Sequence, residues 1–231
     1  MSIRPSSVKI CGIRTVEHAL VATDAGAELI GMIFAPARRQ VTIELARQIS
    51  NAVHAASPAV LVVGVFVDSP AAEINRAALA GGLDLVQLHG DEPQELLSEL
   101  EFPTIKAFRP LPGERVSDLA DRVRPYLEVA VAPISILIDG YDLKAHGGTG
   151  VRADWEVVGA VSAELQLALA LAGGLTPENV SEAISIVGPQ MVDTSSGVEV
   201  DGIKDDELIR RFIERADTAF GSEMLTSEIV R

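Results

Sequence analysis

Leu167-Ala168-Leu169-Ala170-Leu171-Ala172-Gly173-Gly174-Leu175-Thr176-Pro177 sets an apolar run, two glycines and a helix start in direct succession. The run is short and has no polar face, as expected of a parallel strand buried on both sides. Thr176 then offers a side-chain acceptor just before Pro177, a residue suited to a first helical turn because it lacks an N–H. The same unit recurs along the chain. Further apolar runs are Val8–Cys11, Leu29–Phe34, Val60–Val67, Leu85–His89, Thr104–Phe108, Ser135–Asp139 and Met191–Thr194. Helical spacing appears between and after them, at Val16, Ala19, Leu20 and Thr23, at Leu45, Ile49, Ala52 and Val53, and at Leu208, Ile209, Phe212 and Ile213. Ser69 before Pro70 repeats the cap, and Gly26 and Gly81 fall where helices should end.

Strands alternating with helices call for parallel pairing through right-handed crossovers. About eight such runs predict an α/β fold, a single (β/α)8 TIM barrel over residues 1–220. The weak pattern of residues 221–231 fits a disordered tail. An open doubly wound sheet is the alternative, but Cys11-Gly12-Ile13-Arg14 is not the glycine-rich loop a dinucleotide site would need after the first strand.

Apolar residues make up 48% of the 231 and aromatics only 4%, so aliphatic side chains must fill the core. The formal charge of −14 disfavours a nucleic-acid partner, though not a small anion held by a few fixed donors. The single cysteine excludes an internal disulfide and a cysteine-based zinc site, and the four histidines are scattered without a ligand motif, so no metal is expected. Nothing resembles a signal peptide or a bilayer-spanning run, which predicts a cytoplasmic protein without a membrane partner.

In a barrel, chemistry belongs at the C-terminal ends of the strands. Alternation puts Lys9 and Cys11 on the inner face, where Cys11 is either a small buried hydrophobe or a base activated by a nearby cation. Gln87 and His89 share an inward face, as a structural network or as substrate contacts. Asp139 ends an apolar strand, where a dry surrounding would raise its pKa and suit it to act as an acid. Gly147-Gly148-Thr149-Gly150 reads as a cover over the site. Gly173-Gly174 and Ser195-Ser196-Gly197 follow the seventh and eighth strands, where barrels bind phosphate, which predicts a barrel of the phosphate-binding type. Arg38 and Arg39 could hold a carboxylate in a bidentate fork. If strand eight closes against strand one, Asp193 should pair with the buried Lys9.

Lys9-Ile10-Cys11-Gly12, Val65-Phe66-Val67, Val86-Gln87-Leu88-His89-Gly90, Gly147–Gly150, Gly173-Gly174-Leu175, Pro177-Glu178-Asn179 and Asp193 through Glu199 stand in the order of one family. Over Val8 to Phe212 the chain resembles the phosphoribosylanthranilate isomerases. The resemblance implies an Amadori rearrangement of a small anionic phosphosugar, without metal or organic cofactor, by a monomer or homodimer. It implies Cys11 as general base, Asp139 as general acid, Arg39 on the anthranilate carboxylate, and Gly173, Gly174, Ser195, Ser196 and Gly197 on phosphate. Lys9, Gln87, His89, Gly148, Gly150 and Asp193 are further site candidates. Val151 stands where the family often has a basic residue, and a slightly short loop before Arg39 leaves Arg38 as its substitute. The alternatives are another phosphosugar aldose–ketose isomerase and a non-catalytic phosphosugar-binding protein on the same barrel.

Overall fold

The structure, a computed structural model, describes residues 3–111, 113–140 and 155–229. Eight parallel strands close into a barrel in sequence order: β1 Ser7–Ile10, β2 Leu29–Ile33, β3 Leu61–Phe66, β4 Leu85–Leu88, β5 Thr104–Phe108, β6 Ser135–Asp139, β7 Ala170–Ala172 and β8 Met191–Thr194. Helices α1 Val16–Ala25, α2 Ile43–Ala56, α3 Ala71–Gly81, α4 Val116–Leu127, α5 Trp155–Leu165, α6 Val180–Val187 and α7 Asp206–Ile229 surround it. A small hairpin, β9 Glu199–Val200 and β10 Ile203–Lys204, lies between β8 and α7. Among the described residues no helix is long and apolar enough to cross a membrane.

Local chemistry accounts for most element ends. Thr15 and Thr42 cap α1 and α2 by accepting from the backbone N–H groups of His18 and Leu45. Gly26 ends α1 in the left-handed region, as expected. At α3 the left-handed residue is Gly82, one beyond the expected Gly81. Ser69 is no cap, because its hydroxyl turns back to the Val67 carbonyl and Pro70 takes the N-cap place. Thr176 instead caps a turn ahead of α6, accepting from Glu178 N–H at 3.2 Å. Between β4 and β5 the chain makes only a short 3-10 helix, Gln94–Glu99, so the strand–helix alternation is weakest there. Helix α7 continues past Gly221, through a stretch whose sequence pattern is weak.

Strand alternation divides the apolar residues into two layers. Leu29, Val63, Leu85, Ile105, Leu137, Ala170 and Met191 fill the barrel interior. Val8, Ile10, Ile30, Val62, Val86, Ile136, Leu171 and Val192 face the helices. Lys9 and Asp193 take inward places in the interior layer, directly opposite each other at the seam where β8 closes on β1. Lys9 Nζ donates to Asp193 Oδ2 at 2.8 Å, and no part of Lys9 reaches solvent. The pairing expected from alternation is therefore present.

A buried ion pair is costly to break from one side, because the remaining charge has neither water nor partner. Lys9→Met should destabilise the fold by about 3–5 kcal/mol. The double variant Lys9→Met, Asp193→Leu should lose less than Lys9→Met alone. Urea unfolding of the single and double variants checks this, and simple additivity would refute the pairing as an energetic unit.

Candidate active site

Cys11 follows β1 at the barrel mouth, its N–H bonded to the Thr194 carbonyl at 2.8 Å. Its side chain is buried, and β2 leaves room for it: a Cβ on Gly31 would come within 2.8 Å of Cys11 Sγ. Burial pushes the thiol up, Lys9 and Lys204 pull it down, and Asp193 adds to the rise. Burial wins, and the thiol is pushed above its ordinary value. A lowered thiol pKa, which a ready-made base would need, is not what the surroundings produce. Lys9 stays charged: burial would strip its proton, but Asp193 and Cys11 hold it above its ordinary value.

Asp139 ends β6 and accepts from His89 Nε2 at 3.1 Å, with Arg109 Nε 3.6 Å away. Burial pushes this carboxyl up, yet His89 and Arg109 together outweigh it and hold Asp139 below its ordinary range. The raised pKa expected from the apolar strand is thus corrected, and the cause is non-local, since His89 comes from the end of β4 and Arg109 from the end of β5. The buried Gln87 amide lies 2.8 Å from His89 Nδ1, completing a line Gln87–His89–Asp139. A cavity of about 430 Å³ opens beside it, lined by His89, Gly90, Lys106, Phe108, Arg109 and Tyr126 among others.

Arg39 reaches the mouth from the loop after β2. Its Nε and Nη2 donate to Glu199 Oε1 and Oε2 at 2.6 and 2.7 Å. Its side chain is 22% exposed against 61% for Arg38, which meets Glu199 only at 3.3 Å. Arg39 is therefore the fixed arginine and Arg38 the outer one. Gly12 lies directly beneath: a Cβ there would meet Arg39 Cδ at 2.7 Å and Ser195 Oγ at 2.8 Å.

The loops after β7 and β8 are built against each other. Gly173 and Gly174 both have positive φ, 95° and 66°, a backbone that only glycine adopts freely. Thr194 Oγ1 donates to the Leu175 carbonyl at 2.7 Å, and a side chain on Gly197 would run into that carbonyl. Ser195 Oγ is buried with no partner among the described residues, a donor left free beside the loop. Gly148, Gly150 and Val151 lie outside the described residues.

A family model for N-(5'-phosphoribosyl)anthranilate (PRA) isomerase matches residues 8–215. The chain belongs to this isomerase family. The PRA isomerase of Roseiflexus sp. (strain RS-1) is 43% identical over 218 residues, covering 92% of this chain and 98% of that one. That of Geobacter sulfurreducens is 44% identical over 213 residues, with 90% and 97% covered. The crystal structure of phosphoribosyl anthranilate isomerase from Thermotoga maritima superposes with a TM-score of 0.79 at 36% identity, over 92% of this chain and 98% of that one. A further PRA isomerase structure, solved with reduced 1-(o-carboxyphenylamino)-1-deoxyribulose 5-phosphate, gives 0.75 at 34% identity over the same shares.

Within this PRA isomerase barrel, four residues of the site escaped sequence reasoning as candidates: Gly31, Arg109, Glu199 and Lys204. Glu199 carries a legible signal only in retrospect, as a carboxylate six residues beyond Asp193 at the mouth end of a strand. Its side chain is 4% exposed and also accepts from Lys204 Nζ at 2.8 Å. Burial pushes it up, but Arg39 and Lys204 bring it down to about 2. A carboxyl depressed on folding stabilises the fold fully above its unfolded pKa and progressively less as the pH falls towards its folded one. The stability gap between the native chain and Glu199→Gln should hold steady from about pH 5 to about pH 8 and narrow below the ordinary value of 4.5. Chemical melts across pH measure it, and a gap that widens in acid would contradict the assignment.

Proposed function

We infer that this chain isomerises N-(5-phosphoribosyl)anthranilate to 1-(2-carboxyphenylamino)-1-deoxyribulose 5-phosphate, the Amadori step of tryptophan biosynthesis. One observation carries the reading: a PRA isomerase family match over residues 8–215 coincides with Cys11, Asp139, Arg39 and the loops after β7 and β8 at the C-terminal ends of one barrel's strands. The relative solved with a reduced product analogue supports a substrate of the same kind, a small anionic phosphosugar.

The roles follow from chemistry. Arg39 takes the anthranilate carboxylate on the guanidinium edge that Glu199 leaves free. Gly173, Gly174, Ser195, Ser196 and Gly197 take the phosphate. Anchoring both ends sets the sugar carbons between Cys11 and Asp139. Asp139, once protonated, gives its proton to the ribose ring oxygen; the C1–O bond breaks and the anthranilate nitrogen becomes an iminium. The iminium acidifies the C2 hydrogen, and its positive charge also favours thiolate at Cys11, whose own proton passes to solvent. Cys11 removes the C2 proton, and the resulting enolamine tautomerises to the ketone. Lys9 and Asp193 sit beneath as the charged floor. The thiol must remain reduced, which supports a cytoplasmic setting. Every group named comes from one chain, so a monomer suffices for the chemistry and a homodimer is compatible with it. The barrel with its described chemistry, residues 1–220, is the catalytic unit.

Turnover is followed by the loss of anthranilate-type fluorescence. The native chain should convert the substrate, and Cys11→Ala should lose about 10²–10⁴-fold in kcat. Native turnover with an unimpaired variant would remove Cys11 as the base, and no native turnover in folded protein would favour the non-catalytic reading.

The pH profile separates two protonation schemes. Cys11 is pushed above its ordinary 9.0 and Asp139 below its ordinary 3.8, so between those values the pair holds a single proton, the number that one acid step and one base step need. kcat/KM should therefore be flat from about pH 5 to about pH 8. A narrow bell centred near neutrality would mean that substrate meets the opposite shifts.

A further inference from the structure

Glu199 touches both halves of the proposed substrate site. Toward the loop after β2, it holds Arg39 by a two-point fork at 2.6 and 2.7 Å and reaches Arg38 at 3.3 Å. Toward the loop after β8, it accepts from Lys204 Nζ at 2.8 Å, and the same ammonium donates to the Ser195 carbonyl at 2.8 Å. Arg39 and Ser195 also converge over Gly12, which has no side chain to separate them. One carboxylate is thus surrounded by three cations, and the cluster keeps an excess of positive charge in a chain whose formal charge is −14.

We propose that Glu199 is a positioning residue that joins the carboxylate-binding arm to the phosphate-binding arm. On one side it occupies the inner edge of Arg39, so that only the outer N–H groups face the mouth and the arginine cannot swing to solvent. On the other it fixes Lys204, and through it the Ser195 carbonyl, so that the free Ser195 hydroxyl and the following N–H groups keep one orientation. Neither arm contains Glu199 as a ligand: a carboxylate would repel both anionic ends of the substrate. Its contribution is geometric, and it should appear in binding rather than in the chemical step. The proposal rests on the reading of Arg39 and the Ser195 loop given above.

The test uses the full chain with Arg39→Ala, Lys204→Met and Glu199→Gln, each checked for folding by circular dichroism. Anthranilate and ribose 5-phosphate serve as competitive inhibitors that probe one end each. Arg39→Ala should weaken anthranilate alone and Lys204→Met ribose 5-phosphate alone, each by about tenfold. Glu199→Gln should weaken both and raise KM by about tenfold or more, while kcat falls less than about threefold. Adding Glu199→Gln to Arg39→Ala should cost nothing more for anthranilate but still weaken ribose 5-phosphate. If Glu199→Gln leaves both inhibitors within about twofold while the other two variants behave as stated, the coupling is refuted and the site reading stands. If Arg39→Ala itself leaves anthranilate unchanged, the site reading fails instead, and the coupling with it. Should Glu199→Gln not fold, Lys204→Met decides: an unchanged ribose 5-phosphate constant overturns the phosphate half of the link.

Discussion

Closing a sheet of eight strands brings the first strand beside the last, and here the closing register sets Lys9 opposite Asp193. An ammonium with no access to water is tolerable only beside a fixed anion. That requirement locks the seam, and the seam in turn carries Cys11 on one strand and the Ser195 loop on the other. The pair also sets charges above it. Lys9 favours thiolate at Cys11, while the Asp193 carboxylate works against it, and Asp193 senses His89 and Asp139 as well. A structural ion pair and the electrostatics of the site are therefore the same object.

Net charge is a poor guide to such a site. The chain carries −14, yet its mouth presents Arg38, Arg39 and Lys204 around a single carboxylate. Surface charges farther away than about 8 Å are largely screened at physiological salt, whereas donors within a few ångströms of a bound anion are not. Local arrangement wins over the sum. The acidic surface serves solubility without forbidding an anionic substrate.

Alternation along strands is a local rule, and what depends on it was legible in the sequence. The inward Lys9, Cys11, Gln87 and Asp193 follow from period two, and three of the eight strands, β5, β6 and β8, begin and end where the apolar runs do. The Lys9–Asp193 contact needed only one further step, the closure of the barrel. Protonation was not legible in the same way. The pKa of Asp139 is set by His89 and Arg109, which arrive from other strands fifty and thirty residues earlier in the chain. The pKa of Cys11 is set by how completely the barrel buries it. Glu199 was similarly hidden, because its meaning comes from Arg39, 160 residues away. After β4 the chain forms only the short turn Gln94–Glu99 where the alternation of the sequence calls for an α-helix.

The resting protonation states bear on how such a site can keep a reactive group and still leave it inert. Burial pushes the Cys11 thiol up while His89 and Arg109 hold Asp139 down, so both shifts favour thiol with carboxylate over the pair that the proposed reaction needs. A thiol, unlike a thiolate, is a weak nucleophile and oxidises slowly. In the proposed reaction, a proton transfer through Asp139 must come first, because only it creates the iminium. That cation then appears beside a thiol already flanked by Lys9 and Lys204, where one more positive charge counts most, since desolvation has removed the water that would screen it. The base is thus activated by the product of the acid step. Burial, which looks like an obstacle to base catalysis when Cys11 is considered alone, would in the proposed reaction set the order of the two proton transfers.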